Sequence, residues 1–500
     1  MRASARALKP LLLRVTAPGA LAAWFLVLAL PLGAFLAVKV PLGQVADEPT
    51  HLLRADGLLH GGLIGHRERI TRPDGRTVVA AGMRADPVLL AVVTLPIRPL
   101  DTAPHAMTPE MLARARAMNW SAQTVFVDLG SIAGYAPVFY VPAAIALAGS
   151  RMAGLSPYDA FLAARLANLL CYAALGAAAL WLARRAQALM FWTLAVPMAL
   201  SLAASVNQDG LLIASAVLAA SLVTRADSAT GRPVSGSSAY RIAAVLVACI
   251  AISKPPYLPL AALLLLPVPS LRPRAGNWPE LRRRLVAVAL VSIAALGWTW
   301  LNVHSASVPR VLPPYEAGPL WPGPRPAIFG GTDMAAQVRV LLAAPLRFLT
   351  LPAFVVWHDT GMWPEIIGVL GWLNLALPAT LYGLWTAAFA AAAIAAAQDD
   401  DWRGCGWIET PLLLGATIVA LYGIYISQYL TWTPVGLNWI GGPQGRYMLP
   451  LIPMLGLGLP RVQTPHAPAL RRALLSLPLA AAATDVLTLP RIIMDFYYRG

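Results

Sequence analysis

Charged residues are scarce in this chain. Only 12% of its 500 residues are Asp, Glu, Lys or Arg, whereas 58% are hydrophobic, and the mean hydropathy is +0.64. This composition excludes an ordinary soluble domain, of which about one quarter is charged. Apolar runs long enough to cross a bilayer recur from Ala20 to Pro490, which is typical of a multi-pass helical membrane protein.

The chain also lacks the common signatures of several enzyme classes. It contains no GxxxxGKS or GxxxxGKT, HExxH or GxSxG pattern, so nothing indicates nucleotide hydrolysis, zinc proteolysis or a serine esterase. Cysteine is limited to Cys171, Cys249 and Cys405, which predict neither a disulfide framework nor a thiolate metal site. The net charge of +15 does not indicate nucleic-acid binding, because the arginines lie in short breaks between apolar runs, as the positive-inside rule expects.

The apolar runs predict an all-α, polytopic protein with about eleven transmembrane helices in one domain, residues 1–500. Basic residues before the first run, Arg2, Arg6, Lys9 and Arg14, predict an uncleaved first helix over 20–40 that starts in the cytoplasm. The remaining predicted segments are a first extracytoplasmic loop with interfacial helices (41–158), central helices (159–302), a second large extracytoplasmic region (303–366) and C-terminal helices (367–490).

Unusual polar motifs share the extracytoplasmic side of this topology. They are ADEPTH after the first helix, NQDG at Asp209, SKPPY at Lys254, WHDTG at Asp359 and GGPQGRY at Arg446. Lys254 is one of only three lysines, and a cation at membrane depth predicts an anionic partner. Arg446 follows small residues at a helix start, where backbone N–H groups and a guanidinium suit a phosphate. Their convergence on one face is the main indication of function.

Asp47 and His51 are four residues apart, so both lie near one face of a helix that Pro49 would open. A carboxylate there predicts a general base for an acceptor hydroxyl or amine. Local sequence alone favours a different role, in which Asp47 or Glu48 caps that helix. Similar structural roles remain open for three of the other motifs: Asp209 as a cap, Lys254 reaching the headgroups and Arg446 anchoring a helix end.

Three histidines, His51, His60 and His66, lie within one predicted loop. Their spacing matches no zinc template, and a zinc site would need further ligands from elsewhere. A divalent cation held by Asp47, Glu48 and phosphate oxygens is chemically compatible with the motif. The sequence therefore assigns no metal and no cofactor.

Seven segments resemble, in the same order, a bacterial membrane-protein family catalogued as domain of unknown function 2142. They are DEPTHLLRADGLLHGG, YAPVFYVPAAIALA, ARLANLLCYAAL, SVNQDGLLIASAVLA, SKPPYLPLAALLLL, GVLGWLNLALP and GGPQGRYMLPLIPML. That family is grouped with the GT-C superfamily of integral-membrane glycosyltransferases. The chain departs from the pattern at Asn374, where an aspartate is expected.

The resemblance implies a GT-C-like fold and a polyprenyl-phosphate-linked sugar donor. It implies Asp47 as the catalytic base with Glu48 beside it, and Asp209 in the second external loop. Lys254 and Arg446 would meet the lipid phosphate, and the substrate-binding residues would further include His51, Tyr257, Gln444 and Tyr447. The implied acceptor is an extracytoplasmic glycan, lipid or protein, and the implied location is the bacterial inner membrane, with the active site on its extracytoplasmic side.

Two other functions use the same residues. A transporter or flippase of a lipid-linked sugar, or of another anionic substrate, would bind it through Lys254 and Arg446 without bond chemistry. It predicts an internal repeat of spans, and the sequence displays none. A non-catalytic assembly partner would keep the fold without the reaction. The long first loop favours the enzyme.

Overall fold

A computed structural model describes residues 19–71, 75, 77–95, 108–225, 234–267, 278–309, 332–398, 406–460, 462 and 468–498. Six helices in these ranges are long and apolar enough to cross a membrane, or eight if each of two sharply bent helix pairs is one span. A multi-pass membrane protein is therefore confirmed, whereas the predicted count of about eleven spans is not. The basic residues before 19 and Cys405 lie outside the described residues.

Helix α1, Ala20–Lys39, occupies the residues predicted for the first span. Its sequence has no charged residue before Lys39, and a helix satisfies its own backbone hydrogen bonds in lipid. The chain then leaves the span and forms helix α2, strands β1 and β2, helices α3 and α4, and strand β3. Their bounds are Glu48–Leu59, His66–Thr71, Thr77–Ala85, Pro87–Thr94, Pro109–Ala117 and Val125–Asp128.

These strands correct the all-α prediction for the first loop. They form an antiparallel sheet in the order β1-β2-β3, with His66 opposite Gly82 and Gly82 opposite Asp128. A Cβ at Gly82 would lie 1.8 Å from the Val127 carbonyl oxygen, so the β2–β3 approach requires glycine. The small and apolar β2 residues Ala81 and Met83 are buried. The sheet thus packs its apolar surface against helix α2.

The central helices are α5 to α9, with bounds Val141–Met152, Pro157–Leu182, Gln187–Ala195, Pro197–Ala203 and Gln208–Arg225. Helices α8 and α9 meet at 118° across a short break. The Asn207 side-chain oxygen accepts a hydrogen bond from the Asp209 N–H at 2.9 Å and so caps the start of α9. Helix α9 is buried from Gln208 to Thr224, which makes it the centre of the fold.

The C-terminal half begins with helix α10, Ser238–Ser253, which breaks at Lys254 into a 3-10 segment, Pro255–Leu265. Helices α11 to α14 follow, with bounds Trp278–Ala306, Met334–Ala343, Arg347–His358 and Met362–Gly368. Helices α12 and α13 form the second bent apolar pair, at 104°. A candidate span therefore lies within 303–366, which the sequence analysis placed outside the membrane.

A short hairpin, β4 (Val369–Leu370) and β5 (Leu375–Ala376), precedes the last helices. Helices α15 and α16, the 3-10 segment Gly445–Leu451, and helices α17 and α18 complete the described chain; the helices cover Ala379–Ala397, Gly406–Thr431, Ile452–Gly458 and Pro468–Tyr498. At the hairpin, Trp372 Nε1 donates to the Gly43 carbonyl at 2.9 Å, and Gly371 accepts from Ala46 N at 3.1 Å. The hairpin thereby holds the segment that leads into α2.

One buried ion pair joins the helices around that segment. Arg165 on α6 donates to both carboxylate oxygens of Glu48, from Nε at 2.8 Å and from Nη2 at 2.6 Å, and both side chains are fully buried. Further Arg165 donors reach the carbonyls of Ala37 and Val40 at the end of α1, at 2.9 and 2.7 Å. Glu48 also accepts from Val206 N at 3.0 Å. Arg165 and Glu48 therefore fix α1, α2, α6 and the start of α9 together.

We predict that breaking this ion pair destabilises the whole fold. Arg165→Met leaves Glu48 charged and buried, at a cost of about 3–5 kcal/mol, and Glu48→Gln leaves Arg165 unpaired. Thermal unfolding in detergent should show a large drop in the unfolding temperature for both variants. Asp495→Asn is the matched control, because the Arg491–Asp495 pair is largely exposed and exposed pairs contribute little. Unfolding temperatures that match the control would contradict this role.

Candidate functional site

Four of the predicted site residues meet at breaks between helices. Asp47 lies between α1 and α2, Asp209 in the first turn of α9, Lys254 just after α10 and Arg446 in the 3-10 segment after α16. They come from parts of the chain up to 399 residues apart and form a single charged cluster. We use that name for Asp47, Asp209, Lys254 and Arg446.

The charged cluster consists of two carboxylates and two cations in alternation. Asp209 accepts from Lys254 Nζ at 2.5 Å through Oδ1, and its Oδ2 lies 3.6 Å from Arg446 Nε. Arg446 Nη2 forms an ion pair with Asp47 Oδ2, and its Nη1 donates to the Ala46 carbonyl at 3.3 Å. Asp209 thus contacts both cations, whereas Asp47 contacts Arg446 from the other side.

The four side chains differ in how far they reach the surface. Asp47 is 39% exposed and Lys254 14%, whereas Asp209 and Arg446 are only 6% and 2% exposed. Asp47 is therefore the outermost member and Arg446 the innermost. A ligand that enters from the exposed side meets the Asp47 carboxylate before it reaches the guanidinium.

The capping interpretation of Asp47 is wrong. Asp47 stands at the N-cap position of α2 with φ 64°, a left-handed conformation, and its side chain makes no capping hydrogen bond. Asp is among the few residues other than glycine that tolerate this conformation. The Asp47 carbonyl accepts from Thr50 Oγ1 at 2.8 Å and from His51 N at 3.1 Å. The backbone thus starts the helix, and the carboxylate is left for Arg446.

Glu48 lies beside Asp47 in sequence but not in the cluster. Its carboxylate is fully buried and is occupied by Arg165 and by Val206 N. This geometry favours a positioning role for Glu48 over direct chemistry. Arg165, its partner, was missed by the sequence analysis, because an arginine within the apolar run of α6 has no distinguishing local pattern.

Arg446 holds the Asp47 carboxylate in its ionised form. Burial by itself raises the pKa of Asp47, but the charge of Arg446 and its hydrogen bond are the main causes that lower it, and the pKa lies below its ordinary value. Asp47 is therefore a weak base while the ion pair persists. Any ligand that takes Arg446 from Asp47 makes this carboxylate more basic.

His51 faces the cluster from α2. It is buried, its Nδ1 lies 2.6 Å from the Tyr140 hydroxyl, and its ring stacks on that of Tyr140 with centroids 5.6 Å apart. Burial lowers the pKa of His51 to about 4, although Asp47 and Asp209 oppose the shift. The imidazole is therefore neutral near pH 7 and serves as a hydrogen-bonding group.

Tyrosine rings surround the two cations. Lys254 Nζ lies 4.6 Å from the ring centroid of Tyr447 and 5.9 Å from that of Tyr135, and the Arg446 guanidinium lies 5.3 Å from the Tyr447 ring. Such cation–π contacts stabilise desolvated cations. Tyr257 donates to the Tyr447 carbonyl at 2.9 Å and so positions that ring. The sequence did not predict a role for Tyr135 or Tyr140, although both belong to the aromatic motif YAPVFY.

The loop before Arg446 is held by a glutamate that the sequence analysis also missed. Gly445 N donates to Glu365 Oε2 at 2.8 Å, and a Cβ at Gly445 would lie 2.3 Å from Ile366 N, so glycine is required there. Burial raises the pKa of Glu365. The adjacent Gln444 has a buried side-chain oxygen with no hydrogen-bond partner among the described residues, which leaves it available to a ligand.

Asp359 and Asn374 have local structural roles. Asp359 Oδ1 accepts from Gly361 N at 3.0 Å between α13 and α14. Asn374 Oδ1 accepts from Trp372 N at 3.1 Å within the β4–β5 turn. An aspartate at position 374, as the family resemblance leads one to expect, would lie in the same β4–β5 turn.

The three histidines of the first loop do not form a metal site together. His60 Nε2 lies 3.2 Å from Asp56, and His66 Nε2 lies 3.5 Å from Glu68. Within the described ranges, no group of three or more His, Cys, Asp or Glu side chains is arranged to hold a metal ion.

We predict that the neutral state of His51 makes stability depend on pH. The unfolded chain binds a proton on His51 below the ordinary pKa of 6.5, whereas the folded chain binds it only near 4. Stability therefore falls between pH 6.5 and 4, by an amount on the order of 3 kcal/mol. Unfolding temperatures measured across this range should fall more steeply for the wild type than for His51→Gln.

The control for this prediction is His66→Gln, because His66 is an exposed histidine of the same loop. It should keep the wild-type pH profile. Identical profiles for wild type and His51→Gln would contradict the buried neutral imidazole.

The model of one family, the predicted membrane proteins DUF2142, matches residues 30–455. The match includes all four residues of the charged cluster, and the chain belongs to this family. No curated protein and no solved structure matches the chain. The family description gives a membrane location and no activity.

Proposed function

We propose that this chain is a GT-C-type glycosyltransferase that moves a sugar from a polyprenyl-phosphate-linked donor to an extracytoplasmic glycan, lipid or protein acceptor. The proposal places about eleven spans in a bacterial inner membrane, with the N-terminus cytoplasmic and the site extracytoplasmic. The observation that carries it is the charged cluster, in which a partly exposed carboxylate lies directly against a buried cation. A glycosyltransferase site needs a cation that binds the donor phosphate and a carboxylate that removes the acceptor proton. Arg446 and Asp47 would supply these two groups.

Lys254 and Arg446 would bind the donor phosphate. Both cations contact Asp209, which offsets their mutual repulsion when no phosphate is present. Cations buried near a membrane are costly without a function or an anionic partner. A lipid-linked phosphate at the bilayer surface supplies that anion, and membrane lipids surround the tail that carries it.

The donor would release Asp47 as it binds. Arg446 is 2% exposed, and its hydrogen bonds and ion pairs are with Asp47, Asp209 and the Ala46 carbonyl, with the Tyr447 side chain beside it. A phosphate oxygen therefore reaches Arg446 by taking the place of the Asp47 carboxylate, which is the outermost of these groups. Asp47 then loses the contact that lowers its pKa and becomes a competent base only when the donor is present.

The transfer step follows from this arrangement. Asp47 takes the proton from the acceptor hydroxyl or amine as the acceptor atom bonds to the anomeric carbon. The bond between that carbon and the phosphate oxygen breaks with inversion, and the electron pair leaves on the phosphate. Lys254 and Arg446 stabilise the charge of the departing phosphate. His51, Gln444, Tyr257 and Tyr447 would orient the sugar or the residues that hold it.

A transporter of lipid-linked sugars would bind its substrate through the same two cations. Asp47 would not act as a base in such a protein. An assembly partner would bind without turnover. The exposure of Asp47 next to a buried arginine favours the enzyme, because transport requires only a reversible binding site.

We predict that Asp47→Asn lowers sugar transfer by roughly 100-fold or more, the usual contribution of a general base. Transfer from candidate polyprenyl-phosphate sugars would be measured in proteoliposomes, together with transbilayer movement of the donor. Asp359→Asn is the control, because Asp359 accepts from Gly361 N and, in the described part of the chain, forms no ion pair with the charged cluster. If the wild type transfers no sugar, and Asp47→Asn still moves the donor across the bilayer, the enzyme proposal is contradicted and the transporter is favoured.

We further predict that Asp47→Asn tightens the binding of polyprenyl phosphate, whereas Arg446→Gln weakens it. Asp47 competes with the phosphate for Arg446, so removal of its charge should increase affinity roughly tenfold, the effect of one charged hydrogen bond of about 1.5 kcal/mol. Native mass spectrometry of the detergent-solubilised protein measures both affinities. Weaker binding to Asp47→Asn than to the wild type would show that the carboxylate does not compete with the phosphate.

A further inference from the structure

We infer that the first loop carries a second binding site, for a carboxylate or phosphate group on a polar ligand. A cavity of about 420 Å³ is lined by His60, Arg84, Arg151 and residues 121–124. His60 follows the C-terminal end of α2, whose N-terminal end carries Asp47. His60 is 13 residues after Asp47, which corresponds to about 20 Å of helix at 1.5 Å per residue, so this cavity is distinct from the charged cluster.

Two guanidinium groups face this one cavity in fixed positions. Arg84 Nη1 donates to the Thr124 carbonyl at 3.0 Å, and Arg151 Nη2 donates to the Ser121 carbonyl at 3.1 Å. The Arg151 guanidinium also lies 5.0 Å from the ring centroid of Trp120. A guanidinium has five N–H donors, so each arginine keeps donors for a ligand. Like charges that share a cavity repel each other, and an anion between them relieves the repulsion.

Two buried carboxylates contact lining residues without lining the cavity themselves. Asp86 accepts from Ser121 N at 3.1 Å and lies 3.7 Å from Arg151 Nη1. Asp56 accepts from Asp86 N at 2.8 Å and lies 3.2 Å from His60 Nε2. Both aspartates are 1% exposed, so a ligand meets the arginines and the histidine instead. Arg84 has no carboxylate within ion-pair distance in the described part of the chain, so the Arg84 guanidinium is the lining charge that a ligand anion would pair with.

The lining indicates the chemical class of the ligand. The volume falls in the range of ordinary small-molecule sites, about 300–1,000 Å³, but the lining is polar where most such sites are apolar. Guanidinium groups bind carboxylate and phosphate oxygens in a planar, two-pronged geometry. Polar groups of residues 121–124 suit the hydroxyl groups of the same ligand. The anion thus belongs to a hydroxyl-rich molecule, such as an acidic sugar of a glycan or a phospholipid headgroup.

Both sources of this anion are consistent with the surroundings. The exposed apolar side chains Met152 and Leu155 follow Arg151 in sequence and are 87% and 43% exposed, as at a membrane surface. One lining residue, Arg84, belongs to strand β2 of the folded sheet. A folded sheet outside the spans would suit a soluble or glycan-borne ligand. The experiment therefore has one arm for each source.

Arginine modification by phenylglyoxal tests the site residue by residue. Full-length protein in detergent is treated at constant ionic strength with chloride, glucose, glucuronate or inorganic phosphate, and peptide mass spectrometry measures the modification rate at Arg84 and Arg151. We expect glucuronate or phosphate to slow both rates severalfold, and glucose and chloride to leave them unchanged. In the second arm, nanodiscs with phosphatidylglycerol are compared with nanodiscs of phosphatidylcholine, and protection only by phosphatidylglycerol identifies a headgroup as the source.

Arg69 is the internal control, because it is exposed on strand β1 of the same sheet and does not line the cavity. Arg84→Gln should abolish protection of Arg151, and Arg69→Gln should retain it. Equal slowing at Arg69, or no protection of Arg84 in either arm, would overturn the site. The readout requires no sugar transfer, so it is independent of the function proposed for the charged cluster.

Discussion

The ion pair between Glu48 and Arg165 is the interaction on which the rest of the structure depends. Arg165 ties the end of α1 to the start of α2, and Glu48 carries the connection to the entry of α9 through Val206. Because both side chains are fully buried, the polar turn after the first span is held in one position. The direction of Asp47, the residue before Glu48, is therefore fixed. The Asp47 carboxylate contacts Arg446 and does not cap helix α2.

This arrangement couples stability to the chemistry that we propose. Four helix breaks deliver two cations and two carboxylates to one place, and every charge in the charged cluster has a partner. The order of exposure places Asp47 outside and Arg446 inside. In the mechanism that we propose, a phosphate exchanges with Asp47, and the base is activated by the substrate whose transfer it assists. The proposed exchange would thus prevent proton removal when no donor is bound.

The sequence predicted the convergence of Asp47, Asp209, Lys254 and Arg446, because each is a rare polar residue beside an apolar run, and charge asymmetry placed all four on one side. It did not predict the sheet of the first loop, since the apolar residues of β2 do not alternate regularly with polar ones. Arg165 and Glu365 were missed because their roles depend on partners 117 and 80 residues away, which no local pattern reveals. Capping was favoured for Asp47 for the same reason: its partner, Arg446, is distant in the chain.

A structure with bound polyprenyl phosphate would reveal whether the phosphate exchanges with Asp47 at Arg446. Cryo-electron microscopy of the protein in nanodiscs with this lipid would locate the phosphate and the Asp47 carboxylate together. We expect phosphate oxygens within hydrogen-bond distance of Lys254 and Arg446, with Asp47 turned away from Arg446 toward the open side. A phosphate bound elsewhere, with the Asp47–Arg446 ion pair intact, would contradict it.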